Sequence, residues 1–247
     1  MNHYLVSIIE YIWNYRFYQD GSVEFEVRLT GILQVYVQPS SESYVESNPY
    51  GTTVAPNVNA HYHQHLFSLR VDPMIDGLQN SVLETDVVAN PAPFESDDNF
   101  AGNAFTTKSR TIQTSADARD YDHAADRRWR IVSSPKSTKY GSKGHYASGA
   151  PPGYGFNVRG AGCTLLAREG SWAWKRAPWG RKVLWVVKDN EGEDGSRIYP
   201  SGKYVPQTRE EPEESLNFWS KEDKSVVDED ILLYITLGMP LSFLRFW

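Results

Sequence analysis

Three of the chain's six histidines stand at alternate positions in AHYHQHLFSLRVD, residues 60–72. Alternate residues of a β-strand share a face, so His61, His63 and His65 point one way while Tyr62 and Gln64 point the other. Neighbouring members of that row lie about 6.6 Å apart at a rise of roughly 3.3 Å per residue. Two imidazoles at that spacing can lean onto one metal ion through nitrogens at about 2 Å. His61 and His65 stand about 13 Å apart and share an ion only if a bulge bends the strand. The chemistry on offer is an adjacent imidazole pair completed by a ligand from elsewhere, which suits copper, zinc, iron or nickel. A strand carrying exposed histidines with no ligand role fits the same spacing.

The elements that must position such a pair read as β-strands. Residues 22–37, SVEFEVRLTGILQVYV, put Val23, Phe25, Val27 and Leu29 on one face and Glu24, Glu26 and Arg28 on the other. Asp20-Gly21 before them suits a positive-φ turn, which predicts two antiparallel strands over 10–37. Further strands are predicted at 63–72, 127–132, 155–158, 182–189 and 230–238, between clusters of Gly, Pro, Asn and Ser. No window sustains a 3.6-residue period, so the fold class is mostly β. Residues 38–60 and 89–126 show little pattern, and the Gly, Ser, Lys and Pro of 134–155 predict a flexible loop.

At 247 residues with 40% hydrophobic content the chain can bury a full core. Its net charge of −6 and scattered basic residues argue against a nucleic-acid partner. Cys163 alone supports no disulfide framework, and no glycosylation sequon occurs. The apolar run YLVSIIEYIW is too short to span a bilayer, contains Glu10, and lacks the features of a signal peptide. These features favour an intracellular protein with no membrane partner.

The residues after the pair are more specific. HQHLFSLRVDPMIDGLQNSV (63–82) resembles the His-X-His segment of the copper amine oxidases. YIWNYRFYQDGSVEFEVRLTGIL (11–33) resembles the strand pair that follows that family's quinone-forming tyrosine. GNAF (102–105), RRWRIV (127–132), KRAPWGRKVLWVV (175–187), YPSGKYVPQTREEPEESLNFW (199–219) and DEDILLYITLG (228–238) recur in the family's order. The match spans about residues 4–238. It implies a large antiparallel β-sandwich of the catalytic-domain type, incomplete at both ends, as one partial domain over 1–247 that usually forms a homodimer. The family's reaction is oxidative deamination of primary amines to aldehyde, ammonia and hydrogen peroxide. It uses copper held by three histidines, a tyrosine oxidised to topaquinone, and an aspartate as general base.

By this resemblance His63 and His65 are the first two copper ligands, and His61 lies outside the pair. Ile8-Ile9 stands where the family's Asn-Tyr carries the quinone precursor, and Leu241 stands where the third copper histidine is expected. The base aspartate belongs upstream of the quinone, where only eight residues precede Ile9. The expectations are a weak or incomplete copper site, no topaquinone and no catalytic residue, hence no amine oxidation. Two alternatives stand beside this reading: an active oxidase, if the natural transcript carries the segments lacking here, and a non-catalytic copper-binding or dimerisation protein. Asp72 and Asp230 match two acids of the family's peripheral cation site, while Met74 replaces a third. REEPEES (209–215) reads as a solvated turn, and Cys163 as a buried structural thiol.

Overall fold

The computed structural model describes residues 2–6, 9–38, 49–133, 151–190, 197–203 and 209–241. Residues 134–150 of the loop predicted over 134–155, and Ile8, which stands where the resemblance expects the Asn of Asn-Tyr, lie outside them. The chain divides into two compact units, Met1–His63 with Pro240–Trp247, and Gln64–Met239. Strand pairing is antiparallel wherever a register is defined. No helix among the described residues is long and apolar enough to cross a membrane.

The first unit holds two sheets. Strands β1 (Asn2–Val6), β2 (Ile9–Phe17) and β3 (Val23–Gly31) pair in that order. Ile9, Tyr11, Trp13, Tyr15 and Phe17 lie opposite Gly31, Leu29, Val27, Phe25 and Val23, which gives the hairpin its apolar face. On the other face Arg16 bridges Glu24 and Glu26, each at 2.6 Å. The predicted turn is present. Gly21 has φ +84°, its N–H reaches the Tyr18 carbonyl at 3.1 Å, and the Asp20 carboxylate accepts the Ser22 N–H at 2.9 Å. The second strand stops at Gly31, where φ is +117°. Residues 35–37 instead form β4 (Val35–Val37), which joins β6 (Val58–His61) and β5 (Gly51–Ala55) in a separate sheet of order β4-β6-β5. The sequence reading missed β5 and β6, because GTTVA and VNAH are too short and too polar to alternate.

The second unit contains a four-stranded sheet of order β11-β10-β8-β9, built from β8 (Asn80–Ala89), β9 (Phe105–Thr111), β10 (Arg128–Ser133) and β11 (Gly153–Phe156). The last begins inside the stretch expected to be loop. A three-stranded sheet of order β12-β13-β7 uses β7 (His63–Val71), β12 (Leu184–Lys188) and β13 (Ile231–Leu241). Strands β12 and β13 are covered on both faces. Leu184, Val186, Ile231, Leu233 and Ile235 join one core cluster with Trp129 and Val82, and Leu69 and Val71 of β7 pack against it. Trp185, Val187, Leu232 and Tyr234 point the other way, onto Leu216 and Trp219. Double-sided burial is why LWVV and ILLYI read as unbroken apolar runs rather than alternating ones. The short helix α1 (Leu216–Ser220) supplies that second layer.

Glu84 sits inside the second unit at 1% exposure. Its carboxylate accepts the Trp129 indole N–H at 2.9 Å and the Arg110 Nε–H at 2.7 Å, and Arg119 and Arg127 stand 3.6 Å away. A buried charge survives only with such compensation.

Candidate metal centre

The three histidines do not share one strand. β6 ends at His61 and β7 begins at His63, with Tyr62 between them, so the continuous row expected from alternation is broken at its first member. The cause is tertiary: His61 pairs with Gly51 of β5, and its ring lies 3.9 Å from that of Tyr36, centroid to centroid. His61 acts through its backbone instead. Its carbonyl oxygen is 2.9 Å from His63 Nδ1. A carbonyl can only accept, so Nδ1–H is the donor and Nε2 is the ring nitrogen turned away from that bond. That is the arrangement in which an imidazole is oriented as a metal ligand through Nε2.

His63 and His65 both lie on β7, two residues apart, and their Nε2 atoms are shielded from solvent. His65 shares strand parity with Leu69 and Val71, which face the larger core cluster. Its backbone is closely backed by β13. A Cβ built on Gly238 would stand 2.2 Å from the His65 carbonyl oxygen, so only glycine lets the two strands approach there. His63 and His65 are thus the two imidazoles of the His-X-His pair, two residues apart in the chain. Among the described residues no third His, Cys, Asp or Glu gathers with them at metal-binding distance. Leu241, the position matched to the third histidine, ends β13 and carries no donor atom.

A different cluster does assemble three ligands. Asp72, Asp189 and Asp230 bring carboxylate oxygens within 4.8 Å of one another. Asp72 follows β7, Asp189 follows β12 and Asp230 precedes β13, so the acids meet at one end of the three-stranded sheet. The Asp189 N–H donates to the Asp230 carbonyl at 2.8 Å, and Arg70 pairs with Asp72 at 3.1 Å. With Gly238 beside His65 and Asp230 beside Asp72, β7 and β13 run antiparallel. Farther along the same face of β13, burial pushes the Tyr234 hydroxyl up to about 12, so it stays protonated at neutral pH. The sequence reading named Asp72 and Asp230 and missed Asp189. Its signal was the acid ending KVLWVVKD, which becomes meaningful only once β12 is placed against β13. Met74, which stands where the resemblance expects another acid, is 74% exposed.

Two other readings change. REEPEES is partly docked rather than wholly solvated: Arg209 lies over the Trp172 ring at 3.9 Å, and Glu211 pairs with Arg181 at 3.3 Å and accepts from Asn217 at 2.6 Å. Cys163 is half-buried, and its Sγ lies 3.1 Å from the Gln64 side-chain nitrogen.

The sequence matches the family model described as copper amine oxidase, enzyme domain, over residues 6–240. It is 41% identical over 235 residues to a peroxisomal primary amine oxidase of Pichia angusta, covering 93% of this chain and 31% of the relative. It is 40% identical over 233 residues to a copper amine oxidase of Schizosaccharomyces pombe, again covering 93% and 31%. The chain thus spans about a third of the length of these curated relatives. The fold superposes on a crystal structure of a copper-containing benzylamine oxidase from Hansenula polymorpha with a TM-score of 0.80. That match covers 97% of this chain and 34% of the solved one, at 27% identity. A strand carrying two histidines two residues apart, the mostly antiparallel fold and these matches lead to one conclusion: the chain belongs to the copper amine oxidase family, within its enzyme domain.

Proposed function

We propose that this chain binds one copper ion through His63 and His65 and does not by itself oxidise amines. The observation that carries the copper reading is the hydrogen bond between His63 Nδ1 and the His61 carbonyl, the kind of backbone contact that orients an imidazole for coordination through its other nitrogen. Copper, when bound, supplies Lewis acidity and one-electron chemistry with oxygen. The loss of amine oxidation rests on Ile8-Ile9, which offers no phenol where the resemblance places the quinone precursor, and on Leu241, which offers no third nitrogen. Two imidazoles leave coordination positions to solvent, so the site is weak and exchangeable. A homodimer and a primary-amine substrate belong to the fuller reading, in which the natural protein carries the missing groups.

The test incubates the purified chain with Cu²⁺ and oxygen. Copper uptake is measured in parallel with His63→Ala and His65→Ala, followed by quinone staining and a peroxide assay with a simple primary amine. The expected result is copper uptake that both substitutions abolish, with no stain and no peroxide. A positive quinone stain refutes the inactivity, and unchanged uptake by both variants refutes the ligand assignment.

A second reading concerns Asp72, Asp189 and Asp230, whose converging oxygens suit a hard cation such as Ca²⁺. Asp189→Asn lowers Ca²⁺ affinity in a calorimetric titration if the cluster is a site. Equal binding by wild type and variant removes Asp189 from it.

A further inference from the structure

We infer that Gln64, the residue between the two histidines, is a positioning residue that holds His65 in register for metal binding; this rests on the copper reading above. Gln64 points to the opposite face of β7 from His65. Its side-chain amide makes a two-pronged contact a hundred residues away in sequence. The Nε2–H donates to the Thr164 carbonyl at 2.7 Å, and the Oε1 accepts the Leu166 N–H at 3.0 Å. The same nitrogen lies 3.1 Å from Cys163 Sγ. Donor and acceptor of one amide thus pair with a backbone as a strand would.

The segment so gripped is itself anchored. Leu165 N–H donates to the Gly180 carbonyl at 2.7 Å, and Gly238 N–H donates to the Ala161 carbonyl at 2.9 Å. Gly162 forms an isolated bridge with Leu237 of β13. β7 is the outer strand of the order β12-β13-β7. On one flank, Gly238 of β13 sits against the His65 carbonyl. From the strand face opposite His65, the Gln64 amide ties β7 to residues 164–166, in a segment that β13 also secures through Ala161. The backbone that aims the His65 imidazole is therefore held from two directions. The primary amide presents donor and acceptor in one plane, and Asn is one methylene too short to span the same gap.

The test compares wild type with Gln64→Met, which keeps volume and loses both hydrogen bonds, and with Gln64→Glu, which keeps the acceptor and loses the donor. Cu²⁺ affinity, the nitrogen hyperfine pattern of bound Cu²⁺, and hydrogen exchange in the peptide spanning 63–68 are measured on folded samples. The expected result for Gln64→Met is an affinity loss of roughly 10- to 100-fold, the range for ligands that lose their orienting partner. The hyperfine pattern falls from two imidazoles to one, and exchange accelerates in 63–68 alone. Gln64→Glu falls between. A Gln64→Met protein that melts cooperatively, binds Cu²⁺ as wild type does and keeps a two-nitrogen spectrum overturns the inference. If wild type takes up no copper, the copper reading fails separately and exchange decides: acceleration in 63–68 supports positioning by Gln64, and unchanged exchange overturns it.

Discussion

Replacing Gly238 by alanine tests how closely β13 must approach the histidine-bearing strand. The added methyl carbon would meet the His65 carbonyl oxygen at 2.2 Å, the Leu66 Cδ2 at 2.8 Å and the Leu66 Cα at 3.1 Å. Ordinary contact begins at 3.4 Å, so the carbonyl must retreat by more than an ångström, while Leu66 Cδ2 can relieve its contact by changing rotamer. Two of the three obstructing atoms are backbone, so the strand itself has to move. Overpacking of this kind costs about 1–3 kcal/mol, and a strand shift places the cost toward the upper end. For a chain of this size that lowers the melting temperature by roughly 2–4 °C per kcal/mol. The same shift carries the His65 imidazole off its aim, so copper affinity falls together with stability. Urea unfolding of Gly238→Ala, paired with a Cu²⁺ titration, reads both. A variant within about 0.5 kcal/mol of wild type, the range of an innocuous surface change, with unaltered copper binding would refute the claim of close approach.

Further outcomes follow from two carboxylates paired with arginine. The Asp86 carboxyl lies below its ordinary value of 3.8, chiefly through its hydrogen bonds to Arg127, and is therefore depressed relative to the unfolded chain. Its contribution is complete above the unfolded value and is lost as pH falls through the depressed one. Asp86→Asn should thus lose less stability than wild type when unfolding is compared at neutral pH and below about pH 4, the ordinary carboxylate range; parallel losses in the two proteins would contradict the assignment. Glu84→Leu strands the Trp129 indole N–H and leaves Arg119 and Arg127 without their central carboxylate. A loss of about 3–5 kcal/mol in denaturant unfolding is expected, and a change below about 1 kcal/mol would show that the arginines are satisfied without it.

The amino-acid sequence by itself determined the mostly β class and several strands, because those strands either alternate strictly, as in VEFEVRL, or run apolar throughout, as in LWVV and ILLYI. It also determined the family, through ordered motifs that depend on residue identity alone, and it marked His63, His65, Asp72 and Asp230. Tertiary structure decided the rest. That His61 leaves the row and serves through its carbonyl follows from its place on β6, which local alternation cannot reveal. Asp189 became a candidate ligand only when β12 was laid beside β13, and Gln64 acquired a role only when residues 164–166 were brought to β7. Short polar strands such as β5 and β9 exist because a neighbour supplies their hydrogen bonds, so their own side chains carry little trace of them. A side chain's type is fixed in the sequence, whereas its partners across a hundred residues are fixed by pairing and packing.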